Sequence, residues 1–334
     1  MKAMILERPA QVETSPLRPA DLPDPEPGPG QVRIRVRACG ICRTDLHQVE
    51  GEIPMHKSPV IPGHQVVGLV DRIGPGEGQH LRAGDRVGLP WLHSTCGHCP
   101  ECAAGLENLC PQAAFTGYDV DGGYAQHVLA PAAFCLPLPA GLTDHEAAPL
   151  LCGGIIGYRA LRVSGIRAGE ALGLYGFGSS AHICIQIARF WNCRVYVFSR
   201  TPEHQRLARE LGAAWTGNAR GDPPELLDRA IIFAPAGWLV PEALRVLRPG
   251  GTVALAGIYM DEIPPLDYQR HLYMERALRS VTAATRRDGQ DLLALAQRIP
   301  LATTIERFPL SGANEALQRL KRGGLTGAGV LEIP

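Results

Sequence analysis

Neither sign of charge prevails in this chain: lysine plus arginine equals aspartate plus glutamate at 33 each. That balance gives no reason to expect nucleic acid or an anionic membrane as partner. No apolar run is long enough to span a bilayer. The first residues, MKAMILERPAQV, lack the apolar core of a signal peptide, so the expected location is the cytoplasm. Internal repeats and low-complexity tails are also missing. In that setting the 10 cysteines point to metal binding before disulfides. What is present is an ordinary globular mixture, 45 % hydrophobic and 20 % charged over 334 residues, enough for two domains.

The chain changes character near residue 155. Before it, the turn-rich DLPDPEPGPG leads into QVRIRVRAC, where Val32, Ile34 and Val36 alternate with arginines. This predicts a half-buried strand with a charged outer face. VVGLVDRIG and DRVGLP read as further strands of a compact β domain. After residue 155 strands and helices alternate: ALGLYGFG, SAHICIQIARFWN, RVYVFSR, TPEHQRLARELGA, RAIIFA, PEALRVL and GTVALAGI. Thr201 is the expected N-cap of the fourth segment, with Pro202 in its first turn and Gly212 at its end. The rhythm predicts a doubly wound parallel sheet, an α/β fold.

Two groups of residues carry metal chemistry. Cys96, Cys99, Cys102 and Cys110 lie in CGHCPECAAGLENLC, a spacing that can wrap four thiolates around a tetrahedral ion. Four sulfurs close the coordination sphere, so this zinc would be structural. Cys42 in GICRTDLH, His64 in PGHQVVG and Cys152 in APLLCGG could supply two thiolates and one imidazole, leaving a fourth position open for water or an alcohol oxygen. Taken singly these segments say little. A histidine after proline-glycine is commonly structural, and a cysteine beside an apolar run is commonly a small buried hydrophobe. GFGSSA, between a predicted strand and helix, suits a dinucleotide phosphate turn through Gly176, Gly178 and Ser179. Ser179 and Ala181 stand where glycine is usual, and the motif alone is weak.

The order of CRTDLH, GHxxxG, the four cysteines, DGGYA and APLLC resembles the zinc-containing medium-chain alcohol dehydrogenases, from near residue 3 to the end. The resemblance implies a β-rich GroES-like catalytic domain (residues 1–154 and 289–334) and a Rossmann cofactor domain (residues 155–288). It implies Cys42, His64 and Cys152 as catalytic zinc ligands and Cys96, Cys99, Cys102 and Cys110 as structural ones, two zinc ions per chain. Thr44 matches the hydroxyl that takes the alcohol proton, and His47 the residue that passes it to solvent through the cofactor ribose. Asp45 matches the carboxylate that orients the ligand histidine, Arg43 a pyrophosphate contact, and Trp91 a large residue lining the substrate pocket. Cys39, Cys135, Cys184 and Cys193 are read as bystanders. Gln65 departs from the family, which usually carries glutamate there, so a role needing a carboxylate is in doubt.

The expected reaction is reversible oxidation of alcohols to aldehydes or ketones by hydride transfer to NAD(P). Ser199 stands where NAD-using relatives carry an aspartate, and Arg200 follows it, so NADP is expected over NAD. The rivals are an NADPH-dependent aldehyde reductase, a double-bond reductase on the same fold, and a zinc protein that has lost catalysis. A homodimer or homotetramer is expected, with GTVALAGI either pairing across a two-fold axis or lying inside the sheet.

Overall fold

The computed structural model describes residues 1–76, 81–325 and 327–334. The chain divides into two units, Met1–Cys152 with Ala284–Pro334, and Gly153–Ala283. The return to the first unit thus falls a few residues ahead of the expected 289. It precedes the helix Arg286–Ala296, whose start is secured by a capping box between Thr285 and Asp288.

The first unit is built around the long strand Gln31–Ile41. It pairs antiparallel with Val66–Ile73 and His127–Pro131, and with Ala328–Glu332 near the end of the chain. The last pairing sets Gly329 opposite Ile41, one residue before Cys42. The C-terminal return therefore braces the strand that delivers Cys42. Val32, Ile34 and Val36 face the core as the alternation predicts. The outer face is less uniformly charged than expected. Arg35 and Arg37 are exposed, but Arg33 is buried, because its guanidinium is held by Asp71 at 2.8–3.2 Å. A buried arginine survives only with such a partner.

The second unit carries a six-stranded parallel sheet. Its spatial order is Trp215–Gly217, Arg194–Phe198, Ala171–Tyr175, Leu227–Ile232, Leu247–Leu255 and Ala277–Ser280. In chain order that is 3-2-1-4-5-6, the doubly wound dinucleotide-binding arrangement. Helices Ser179–Phe190, Pro202–Glu210 and Leu239–Arg245 fall where the sequence places them. Of the two placements expected for GTVALAGI, the structure gives the interior one. GTVALAGI is not an edge: Leu247–Leu255 lies between Leu227–Ile232 and Ala277–Ser280 and is hydrogen-bonded on both sides. Its apolar character reflects burial between neighbours, and the sheet ends instead at Ala277–Ser280 and Trp215–Gly217. Among the described residues no helix is long and apolar enough to cross a membrane.

Candidate metal centres and cofactor turn

Cys42 ends the strand Gln31–Ile41 and caps the helix Arg43–Glu50. Its sulfur accepts from the Thr44 amide at 3.3 Å, while Asp45 Oδ2 accepts from the Cys42 amide at 2.9 Å. C-x-x-D thus acts as a capping box with sulfur in place of a hydroxyl. His64 follows Gly63, whose φ of +97° and tight fit under Tyr124 leave no room for a side chain. Cys152 closes the short 3-10 turn Ala148–Leu151. These three distant segments bring Cys42 Sγ within 3.1 Å of His64 Nε2 and 4.0 Å of Cys152 Sγ. One donor atom from each lies within 4.8 Å of the others, the span a single ion can hold. Asp45 Oδ1 lies 3.1 Å from His64 Nδ1, with both side chains buried, so Nε2 faces the thiols.

The electrostatics suit a cation. Burial opposes charge on both Cys42 and His64. Contact with Cys152 and His64 nevertheless holds the Cys42 thiol well below its ordinary value, and Cys42 and Asp45 hold the His64 imidazole well above its own. The Cys152 thiol, hydrogen-bonded to Cys42 and buried, is pushed well up. Two sulfurs and an imidazole packed this closely fit a dication, whose binding would displace protons from Cys152 and His64.

Cys96, Cys99, Cys102 and Cys110 form the second cluster, again within 4.8 Å. Backbone amides point at the sulfurs: Cys99 N to Cys96 Sγ at 3.3 Å, Cys102 N to Cys99 Sγ at 3.5 Å, and Gln112 N to Cys110 Sγ at 3.4 Å. Amides of His98 and Cys99 bring Cys96 down to about 6. Four thiol donors, with no fifth ligand in the group among the described residues, fit a closed structural site. Glu107, buried within this lobe, is forked by Arg286 at 2.7–3.1 Å.

The remaining sequence-selected residues divide. Trp91 lies beside His64, ring centroids 4.8 Å apart, and stacks on Phe115 at 4.9 Å. Phe115, and Tyr118 at 5.7 Å from Trp91, extend this aromatic wall. Neither was singled out, since Phe115 sits in a two-residue strand and Tyr118 in a turn, too short for any periodicity to betray them. Thr44 is buried in the first turn of its helix and Arg43 is exposed there. His47 Nδ1 pairs with Glu52, whose amide donates to His47 O at 2.9 Å. Sequence reasoning missed Glu52 because it returns to His47 only through the left-handed Gly51. Gln65 is buried against Gly40, where a Cβ would lie 2.6 Å from its Oε1, and its Nε2 has no hydrogen-bond partner among the described residues. Cys39, Cys135, Cys184 and Cys193 are buried and belong to neither cluster.

In the second unit Gly176 adopts φ +85° and approaches Ala234, so only glycine fits. Gly178 caps the helix Ser179–Phe190 in open space. The hydroxyls of Ser179 and Ser180 face Gly153, where a Cβ would lie 2.9 and 3.4 Å from them. The glycine missing from GFGSSA is therefore compensated on the facing helix, which explains why serine is tolerated. Ser199 follows the strand Arg194–Phe198, largely buried, with its Oγ accepting from Thr201 N at 3.4 Å. Arg200 beside it is exposed and makes no ion pair among the described residues.

Two family models match: "Alcohol dehydrogenase GroES-like domain" over residues 28–140 and "Zinc-binding dehydrogenase" over residues 181–298. The chain is 47 % identical to a "Probable alcohol dehydrogenase AdhA" of Mycobacterium tuberculosis, covering 100 % of this chain and 97 % of the relative. It is 35 % identical to an alcohol dehydrogenase of Geobacillus stearothermophilus, covering all of both chains. Among solved structures, a cobalt- and zinc-bound thermostable alcohol dehydrogenase from Pyrobaculum aerophilum superposes with a TM-score of 0.88 at 26 % identity, covering 99 % of each chain.

Proposed function

Because the chain belongs to the zinc-dependent medium-chain alcohol dehydrogenases, we propose that it interconverts alcohols with aldehydes or ketones using one catalytic and one structural zinc, with NADP preferred over NAD. The observation that carries this reading is the convergence of Cys42, His64 and Cys152 beside Trp91, with three protein donors among the described residues. Zinc held there would act as a Lewis acid on the alcohol or carbonyl oxygen. Asp45 orients His64 so that Nε2 points to the cluster. Thr44 takes the alcohol proton, and His47, with Glu52 on its Nδ1, passes it to solvent. Trp91 and Phe115 shape an apolar wall suited to small alcohols. The turn at Gly176, Gly178 and Ser179 holds the pyrophosphate, and Ser199 with Arg200 receives the ribose 2′-phosphate.

A panel of primary alcohols and aldehydes assayed with both cofactors tests the activity. Turnover of simple alcohols supports it. Reduction only of activated double bonds, or no turnover by zinc-replete protein, selects one of the rival readings. In solution the protein is expected to be a homodimer or homotetramer, and a monomeric mass by light scattering at micromolar concentration would reject that.

Gln65 provides a further test. Gln65→Glu keeps the side-chain shape but adds negative charge in a buried position adjoining His64, just before the strand Val66–Ile73, where the Gln65 carbonyl accepts from the Gly40 amide at 3.0 Å. Added negative charge disfavours forming an anion from the alcohol. The alkaline-going rise of alcohol oxidation should therefore move to higher pH. An unchanged pH–rate profile would show that position 65 is electrically remote from the reacting oxygen.

A further inference from the structure

The turn formed by residues 115–120 is seated on the segment that delivers His64. Gly117, at φ +74°, packs so closely on Gly63 that a Cβ would lie 2.8 Å from Gly63 N. Buried Thr116 ties the turn to the chain at Trp91: its amide donates to Trp91 O at 2.9 Å and its hydroxyl to Pro90 O at 2.8 Å. A closed ring of contacts then joins five side chains. Asp119 accepts from the Phe115 amide at 2.8 Å through Oδ2 and from His56 Nδ1 at 2.7 Å through Oδ1. The His56 ring lies 4.4 Å from that of Tyr118, whose hydroxyl donates to Pro54 O at 2.6 Å. Tyr118 is 5.7 Å from Trp91, and Trp91 stacks on Phe115 at 4.9 Å. Two hydrogen bonds and a ring contact thus clasp residues 54–56 to the Phe115 turn. Trp91 meets His64 edge-on at 4.8 Å, so the clasped stack stands directly beside a candidate metal ligand.

We propose that His56, Tyr118 and Asp119 are positioning residues for substrate selection: they hold the Trp91–Phe115 stack as a rigid wall beside His64, one that does not retreat before a second alkyl group on the carbinol carbon. The proposal rests on the alcohol oxidation proposed above for the site at Cys42, His64 and Cys152. Phe115 is fixed at its amide and Trp91 at its carbonyl, so neither ring can slide alone. Close-packed side chains resist such displacement. A fixed apolar wall discriminates by volume, and one methylene more or less in such a pocket is worth about 10–200-fold in kcat/KM. Opening the clasp lets the wall yield, which relaxes selection against secondary alcohols. None of the three residues belongs to either metal-binding group.

The experiment compares kcat/KM for 1-propanol and 2-propanol in the zinc-loaded protein. Asp119→Ala removes the acceptor shared by Phe115 and His56 and should lower the preference for 1-propanol about tenfold. His56→Ala, at an exposed position, should lower it by a smaller factor, and it decides the matter alone if Asp119→Ala does not fold. Asp119→Asn keeps an oxygen for the Phe115 amide and should retain most of the preference. Lys57→Ala breaks the neighbouring tie to Asp121, which involves none of the wall's rings, and should leave the preference unchanged. The wild-type preference persisting in both Asp119→Ala and His56→Ala overturns the proposal. An equal fall in Asp119→Asn or Lys57→Ala also overturns it, because that marks a general loosening of the loops. So does a wild-type protein that shows no preference for 1-propanol. If the wild-type protein oxidises neither alcohol, the reading of the activity has itself failed and the proposal falls with it, a result the wild-type assay gives before any variant is compared.

Discussion

Cys42→Ala should lower kcat/KM for alcohol oxidation by roughly a thousandfold or more, and reduce metal content from about two zinc ions per chain to about one. The magnitude follows from losing a Lewis acid that contributes several kcal/mol to the barrier. The selectivity follows from geometry, because Cys42 belongs to one cluster and the four lobe cysteines form the other by themselves. Cys42 has a second duty that could confuse the result. Its sulfur caps the helix Arg43–Glu50 by accepting from the Thr44 amide, and losing a cap costs about 1 kcal/mol. Cys42→Ser separates the two effects, since serine caps well but is a poor zinc ligand. Both variants should lose activity and one zinc, while only the alanine variant should show the lower Tm. Metal analysis together with steady-state kinetics checks this. Activity that survives with both zinc ions bound would show that Cys42 is not a ligand.

Ser199→Asp should weaken use of NADP on the order of a hundredfold while leaving NAD within a few-fold. An aspartate there would meet the 2′-phosphate with like charge, but would accept hydrogen bonds from both ribose hydroxyls of NAD. A charge-assisted hydrogen bond is worth about 1.5–3 kcal/mol, and losing one with added repulsion gives that size of effect. The position is favourable for such a test. Ser199 sits at the end of the second strand of the parallel sheet with its amide bonded to Gly217 O at 2.8 Å, so its backbone is fixed. Arg200 is exposed and unpaired among the described residues, free to meet a phosphate. The deciding measurement is kcat/KM of the wild-type protein with each cofactor: a value at least as high with NAD sinks the preference, whatever the variant does.

Much of this protein is written locally. The change from alternating β pattern to strand–helix rhythm marks the two units, and cap residues such as Thr201 and Pro202 place a helix start. The four-cysteine cluster is legible because its ligands fall within 15 residues, close enough for short spacers to hold them together. The candidate ligands Cys42, His64 and Cys152 are recognisable in the sequence only through the order of their segments. No local signal says that residues 22 and 88 positions apart will meet, and it is folding that sets their sulfur and nitrogen atoms 3–4 Å apart.

Other features could be settled only by tertiary structure. GTVALAGI is apolar enough for an interface or an interior strand, and the neighbouring Ala277–Ser280 decides for the interior. Arg33 looks like an outward charge until Asp71 arrives from the adjacent strand to pair with it. GFGSSA looks defective until Gly153 supplies the missing space from another helix. Glu52 carries no signature of its own and gains meaning only from what it faces, His47. Sequence by itself determined the elements, the candidate metal-binding cysteines and the cofactor fold, because periodicity, capping and ligand spacing act over a few residues. Tertiary structure decided the pairings, because strand neighbours, buried ion pairs and the surroundings of a metal site depend on contacts between segments far apart in the chain, which no short window contains.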